Sequence, residues 1–416
     1  MKGTKTMKKP ELLAPAGSFE KAKVAFEYGA DSIYCGTSKL SLRSRVEIDD
    51  NELAKIIEYA HSIGRKVYVP LNIYARDSMY EDVKSQIKML EEVKADAVIV
   101  SDGGVVNMVK EIAPNLEIHI STQTNVVSYH TSKFWYDNGA KRIILARELH
   151  KDELKEIMKN KPEDLEMEMF VHGAICYAYS GRCHLSDFLA GRGANLGDCA
   201  QSCRWAYNLY LEEKNNPGSM MPVEQDENGT YILSSKDMCL IKELPEIIDM
   251  GIDSFKIEGR LKTEYYLATI INTYRVAIDD YIKNPKEYDY KKYLNELEKT
   301  KTRGLTTFYF NDKNNKDIQE YEGKQYNPNY EFGGKVQEYG QEKSIIEIKN
   351  RLQIGDTLEL IIPNKIEVCR FTIDKLWDVE TDEPIEFVNP GKEGQKVKLH
   401  IPAEAKENWI LRREKC

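Results

Sequence analysis

The chain has 416 residues, a mass of 47.9 kDa and a formal net charge of -9; this length suits one large domain plus a small one and a substantial core, and the acidic balance excludes a wholly basic nucleic-acid-binding surface while leaving room for a local basic groove. No run of about eighteen apolar residues is present, so no membrane-spanning helix is expected. Residues 1–10 hold no apolar stretch that would serve as a signal peptide, so a cytoplasmic protein is expected, a setting in which clustered cysteines bind metal or do redox work more often than they form bridges.

In chain order, short runs rich in Val, Ile and Tyr predict strands at 12–16, 32–36, 66–72, 97–102, 117–123, 142–147, 166–172 and 254–258. Gly29, Gly139 and Gly251 stand just before such runs, and Gly64 likewise, where a helix should stop. Eight strands separated by helices predict a parallel sheet covered on both faces, and eight is the number that closes a barrel. The predicted fold class is therefore α/β: a (β/α)8 TIM-like barrel over residues 1–285, with a cysteine-rich insert at 173–240 after the seventh strand. An open doubly wound sheet is the alternative, but the glycine-rich stretch 191–197 misses the dinucleotide spacing and does not directly follow a strand. Thr263 suits the cap of a helix over 265–278 that closes the barrel. Residues 286–330 turn polar and predict an irregular connector. Beyond it, runs at 344–348, 357–362, 367–373 and 397–401 predict a small β-barrel or sandwich over 331–416.

In a barrel the loops after the strands form the active face. The predicted strand ends carry Asn72, Ser101, Asp102, residues 121–125, Arg147, Glu148, His172 and residues 256–260. Among these, Glu258, Arg260, Lys256, His172 and Gln123 are the catalytic candidates, with Lys256 and Glu258 alternating onto one side of the last strand. Ser101 and Asp102 suit helix capping equally well.

Five of the eight cysteines crowd together as Cys176, Cys183, Cys199, Cys203 and Cys239. Thiolates gathered this way hold a soft metal or a cluster if the fold brings them together. Cys35, Cys369 and Cys416 lie alone and read as small hydrophobes. Four thiolates also satisfy tetrahedral zinc, and on spacing alone zinc and iron-sulfur stay open. A nucleophilic cysteine with His172 or His184 as base would leave the other thiols unexplained. No Gly-x-Ser-x-Gly elbow or His-Glu-x-x-His helix is present. Around the insert, Arg182, Arg192, Arg204, Arg260 and Lys262, with Tyr177, Tyr179 and Trp205, offer cations for phosphates and rings for stacking an exposed base. The same cations would equally compensate thiolates.

The run from Glu168 through His172-Gly173-Ala174-Ile175-Cys176, followed by Gly181-Arg182-Cys183-His184-Leu185-Ser186, resembles the signature of the collagenase-like peptidase family of unknown catalytic type. The resemblance extends to Leu12-Leu13-Ala14-Pro15-Ala16-Gly17, Ser121-Thr122-Gln123, Leu145-Ala146-Arg147-Glu148, Leu233-Ser234-Ser235-Lys236-Asp237 and Phe255-Lys256-Ile257-Glu258-Gly259-Arg260. It implies a C-terminal β domain and two activities that differ in kind. Some members bear a peptidase name, for which His172 or Glu258 would act with water or a metal. Others hydroxylate without oxygen and hold a [4Fe-4S] cluster on four cysteines. The tRNA branch of these, which forms 5-hydroxyuridine at the wobble position, is similar in size and carries the Cys-Ala-Gln-Ser-Cys-Arg-Trp type of segment, although Asn195-Leu196-Gly197-Asp198 departs from its Asn-Gln-Gly-Thr form. Carried over, the resemblance implies Cys176, Cys183, Cys199 and Cys239 as ligands, with Cys203 as a possible replacement. It implies tRNA as partner, for which the cations and rings Arg182, Arg204, Trp205, Tyr177 and Lys262 are the substrate-binding candidates. Prephenate as a small-molecule hydroxyl donor and a homologous partner subunit are implied as well. A non-catalytic RNA-binding or assembly subunit is the third class.

Overall fold

The computed structural model describes all of the chain except residues 1–7, 38–47, 177, 180, 206–208, 213, 215–216, 219, 224–234, 314–317, 319–328, 392–393 and 416. Tyr177 and Cys416, both singled out above, lie outside the described residues, as does most of 314–328 in the expected connector.

Seven strands come first: β1 (Glu11–Pro15), β2 (Ser32–Tyr34), β3 (Lys66–Leu71), β4 (Ala97–Val100), β5 (Glu117–Ile120), β6 (Arg142–Ile144) and β7 (Glu166–Ala174). They pair in parallel in the order of the sequence. An eighth strand, Ser254–Ile257, pairs in parallel with both β7 and β1, which closes the expected barrel. Composition explains the strands: β4 reads Ala-Val-Ile-Val and is buried at every position, as a strand covered on both faces must be. Helices return between them. The helix Phe19–Glu27 starts at Ser18, whose side chain accepts a hydrogen bond from the Lys21 backbone, and gives way to Gly29 at φ +101°. A Cβ on Gly29 would stand 2.5 Å from Cγ of Arg275, so space as well as conformation calls for glycine there.

The insert follows β7, as expected. Its described part holds the helix Leu185–Ala190, short turns at Ala194–Leu196 and Ser202–Arg204, and a hairpin of Leu209–Glu212 with Met220–Val223. The last residues of β7 pair antiparallel with Asp237–Cys239, which in turn pairs with Leu305–Thr306. The connector is therefore less irregular than its composition suggests. It contains a helix at Tyr290–Leu297 whose polar sequence hides it, because only Tyr293, Glu296 and Leu297 face inward.

The C-terminal part is an antiparallel sheet curled into a half-barrel, in the order Val368–Thr372, Thr357–Ile361, Ile410–Glu414, Tyr330–Glu338, Ser344–Ile348, Lys396–Leu399, Leu376–Trp377, Pro384–Ile385. It has its own core around Val336, Ile346, Leu358, Leu360, Leu376 and Val397. It docks on the barrel's outer helices through polar as well as apolar contacts. The Tyr28 hydroxyl accepts from the Ile410 backbone at 2.8 Å and donates to the Ile361 carbonyl at 3.0 Å. Arg412, wholly buried, donates to Glu296 at 2.8 Å and Glu359 at 2.7 Å.

Candidate active site at the barrel mouth

The barrel interior carries charge from its base to its mouth. Arg142 donates to Glu11 at 2.6 Å, to Glu166 at 2.7 Å and to Glu168 at 3.1 Å. Glu168 is fully buried and accepts in turn from Lys256 Nζ at 2.8 Å. Burial pulls the Lys256 ammonium below its ordinary value, and the Glu168 carboxylate opposes that. Two rings flank this ammonium, Tyr34 at 4.5 Å and Phe170 at 5.6 Å from their centroids. Lys256 thus stands on a buried carboxylate, between aromatics, at the bottom of an open space.

That space is a cavity of about 430 Å³. Its barrel side is lined by Tyr34, Phe170, Gln123, Lys256, Glu258 and Arg260, with Arg147 beside them. The Arg260 guanidinium lies 5.8 Å from the Tyr34 ring and that of Arg147 lies 5.2 Å from Phe170. Gly173 sets the position of Glu258: it sits at φ +110°, and a Cβ there would be 2.5 Å from the Glu258 carbonyl oxygen.

The opposite wall is the insert, and it is lined by thiols. Cys176, Cys183, Cys199 and Cys203 all face this cavity, with Arg204 and His184. Local bonds fix the backbone around them. Asn195 donates to the Cys183 carbonyl at 2.9 Å, Ala200 donates to the Ser186 hydroxyl at 2.9 Å, and the Gln201 N–H donates to Cys199 Sγ at 3.3 Å. Burial pushes the Cys203 thiol up; Arg204 opposes this, while Cys176, Cys199 and Cys183 add to it. Arg192 pairs with Asp198. Gly181, at φ +72°, brings the insert against Gln123 and Tyr74, leaving under 3 Å for a Cβ.

Cys239 is set apart from this wall. It pairs across the sheet with His172, and its side chain turns to the outer helix Glu264–Lys283, with Sγ 3.9 Å from the Tyr274 hydroxyl. Burial pushes its thiol up to about 12. Of the five clustered cysteines, Cys203 shares the cavity lining with Cys176, Cys183 and Cys199, whereas the expected Cys239 lies in the hydrophobic core.

The other expected residues divide in the same way. Gln123, Lys256, Glu258, Arg260 and Arg204 meet at the cavity. Arg182 lies at its edge, donating to the Tyr74 hydroxyl at 3.2 Å. His172 does not reach it: the ring is buried against Tyr274, and burial with the nearby Lys262 charge pushes its pKa down to about 3. Lys262 packs 4.9 Å above the Tyr266 ring, and Trp205, 43% exposed, stands outside the lining. Asp102 caps the helix Gly103–Ile112, whereas Ser101 turns to Gln123. Sequence reasoning missed Tyr34, Phe170 and the buried Glu168; strict alternation along β2 and β7 would have turned them inward.

Comparison with known proteins agrees with this architecture. Residues 17–320 match the model of peptidase family U32, and residues 328–412 match the peptidase family U32 C-terminal domain. The chain is 37% identical over 380 residues to tRNA hydroxylation protein P1 of Bacillus subtilis (strain 168), covering 90% of this chain and 89% of that one. It is 36% identical over 448 residues to tRNA hydroxylation protein P of Escherichia coli (strain K12), covering 97% and 96%. A 23S rRNA 5-hydroxycytidine synthase of the same Escherichia coli strain is 32% identical over 398 residues, covering 91% of this chain and 58% of that protein. Matched in both its barrel and its C-terminal half-barrel, the chain belongs to peptidase family U32.

Proposed function

We propose that the protein is an RNA-modifying enzyme that hydroxylates a pyrimidine without oxygen, and that its substrate is the wobble uridine of tRNA, converted to 5-hydroxyuridine. The observation that carries this reading is a wall of four thiols facing a cation-lined barrel mouth across one cavity. Relatives that share most of the chain and are named for tRNA hydroxylation support it. Modifying a base edge requires an unstacked nucleotide, and about 430 Å³ is within the range of pockets that enclose small molecules. Of the two residues that a hydrolytic reading would use, only Glu258 lines the cavity; His172 is buried against Tyr274.

The donor set on the wall suits a [4Fe-4S] cluster: four thiols face one cavity, and the Gln201 N–H already donates to one of the sulfurs. Cys176, Cys183, Cys199 and Cys203 would hold it. Among the described residues no three Cys, His, Asp or Glu side chains converge to metal-holding distance, so ligation would draw residues 176–203 together. When bound, such a cluster supplies one-electron transfer at the cavity wall. Across from it, Lys256 and Arg260 would hold a carboxylate of a small co-substrate, for which the family resemblance implies prephenate. Tyr34 and Phe170 would exclude water, and Glu258 would accept or return a proton at the mouth.

The test is genetic and chemical together. Deleting the gene should remove 5-hydroxyuridine and its derivatives from tRNA, read by nucleoside mass spectrometry, and a Cys176→Ala gene should not restore them. Protein purified without oxygen should carry about four iron and four sulfide per chain; Cys203→Ala should lose them, and Cys239→Ala should keep them. Unchanged tRNA nucleosides, together with metal-dependent cleavage of denatured collagen, would return the chain to a peptidase reading.

A further inference from the structure

Gln123 is 3% exposed, lines the cavity, and has a side-chain amide that the surrounding bonds orient. The Ser121 hydroxyl oxygen accepts from Asn72 Nδ2 at 3.4 Å and from the Gln123 backbone at 3.4 Å. Its own hydrogen is then left to donate, and it does so to Gln123 Oε1 at 3.3 Å. The Ser101 hydroxyl has one hydrogen and two acceptors in reach, this same oxygen at 3.0 Å and the Asn72 carbonyl at 3.4 Å. Tyr74 holds the backbone by donating to the Gln123 carbonyl at 3.1 Å. The oxygen end of the amide is therefore held by the Ser121 hydrogen, with Ser101 nearer to it than to its other acceptor, and turning the amide over would set its NH2 against the Ser121 hydrogen. That leaves Nε2, which is buried and without a hydrogen-bond partner. A buried donor left unpaired is costly, and one beside a cavity is completed by an acceptor on whatever enters.

We propose that Gln123 reads the C4 substituent of the target pyrimidine, its amide N–H donating to the carbonyl of uracil and rejecting the amino group of cytosine. The inference rests on the reading of the site as an RNA pyrimidine hydroxylase and adds a specificity determinant to it. Uracil presents an acceptor oxygen on the carbon next to C5, where the hydroxyl would be placed. Cytosine presents an amine there, which sets donor against donor and leaves two buried polar groups unpaired. A site built around a fixed hydrogen bond discriminates far more strongly than one built on shape. Ser101 and Ser121 are positioning residues, since they act by holding the amide in one orientation.

The experiment places in the deletion strain a tRNA with either uridine or cytidine at its wobble position, with wild-type or variant protein, and measures 5-hydroxyuridine and 5-hydroxycytidine in each. Wild-type protein should modify only the uridine form. Gln123→Glu keeps one oxygen for the two serine hydroxyls and turns an acceptor to the cavity. It should lower 5-hydroxyuridine roughly tenfold and give 5-hydroxycytidine in the other tRNA. Ser101→Ala, which loosens the amide without removing it, should narrow the preference while iron content stays at the wild-type level; it carries the test if the Glu variant does not fold. Variants that lower 5-hydroxyuridine and still form no 5-hydroxycytidine, or that alter only the dependence on a carboxylate co-substrate, overturn the assignment and leave the hydroxylase reading standing. Wild-type protein that forms neither nucleoside overturns the hydroxylase reading, and the assignment with it.

Discussion

Gly173 holds the last turn of β7 at φ +110°, with the Glu258 carbonyl where a side chain would begin. Any Cβ there meets backbone, not a side chain that can swing away, and the conformation itself disfavours an L-residue. Gly173→Ala should cost roughly 1–3 kcal/mol of stability, measured as a lower urea midpoint. Because the relief must come from the segment carrying Glu258, hydroxylated nucleoside should fall by more than the loss of folded protein explains. Gly181 is different: a Cβ there would meet Tyr74 and Gln123 side-chain atoms as well as backbone. A substitution at that position should act on the seating of the insert rather than on the barrel.

Among the barrel strands, the charges at the base form one unit. Burial alone would raise the Glu11 carboxyl, yet the Arg142 charge and the bonds from Arg142, Tyr68 and Ser254 hold it down at about 2. Its folded value lies below the ordinary 4.5 of an unfolded chain, so the contribution is complete above 4.5 and is lost as pH falls toward 2. That gap corresponds to roughly 3 kcal/mol. Thermal unfolding followed from pH 6 to pH 3 should show a steep acid limb, and Glu11→Gln should flatten it. The elements that build this base were legible in the sequence, because short apolar runs between glycine stops have few other uses. The pairing of Asp237–Cys239 with β7 was not, since it is a contact between distant segments that no local pattern records. The same limit governs the candidate site. Strand ends pointed to Gln123, Lys256, Glu258 and Arg260, but cysteine spacing could not tell Cys203 from Cys239. Which way Cys239 faces is decided by its partner strand, not by its neighbours in sequence.

For the molecule as a whole, the C-terminal half-barrel is stitched to the helices that follow the first and last barrel strands. Lys335 donates to Glu20 at 3.2 Å and to Glu264 at 3.4 Å, residues at the starts of those two helices. Trp409 donates to Glu27 at 2.8 Å. With buried polar bonds on both sides of the junction, the two parts should unfold together. Calorimetry should give one transition, and Tyr28→Phe, which strips the Ile410 N–H of its acceptor, should lower it by roughly 1–3 kcal/mol without splitting it.

The strands joined beneath that junction, β1 and Ser254–Ile257, are the two edges that must meet for the barrel to close. Tyr28 and Ile410, which bonds it, stand 382 positions apart in the chain. The helix that Tyr28 ends therefore waits, while every residue between them is translated, for a partner that does not yet exist.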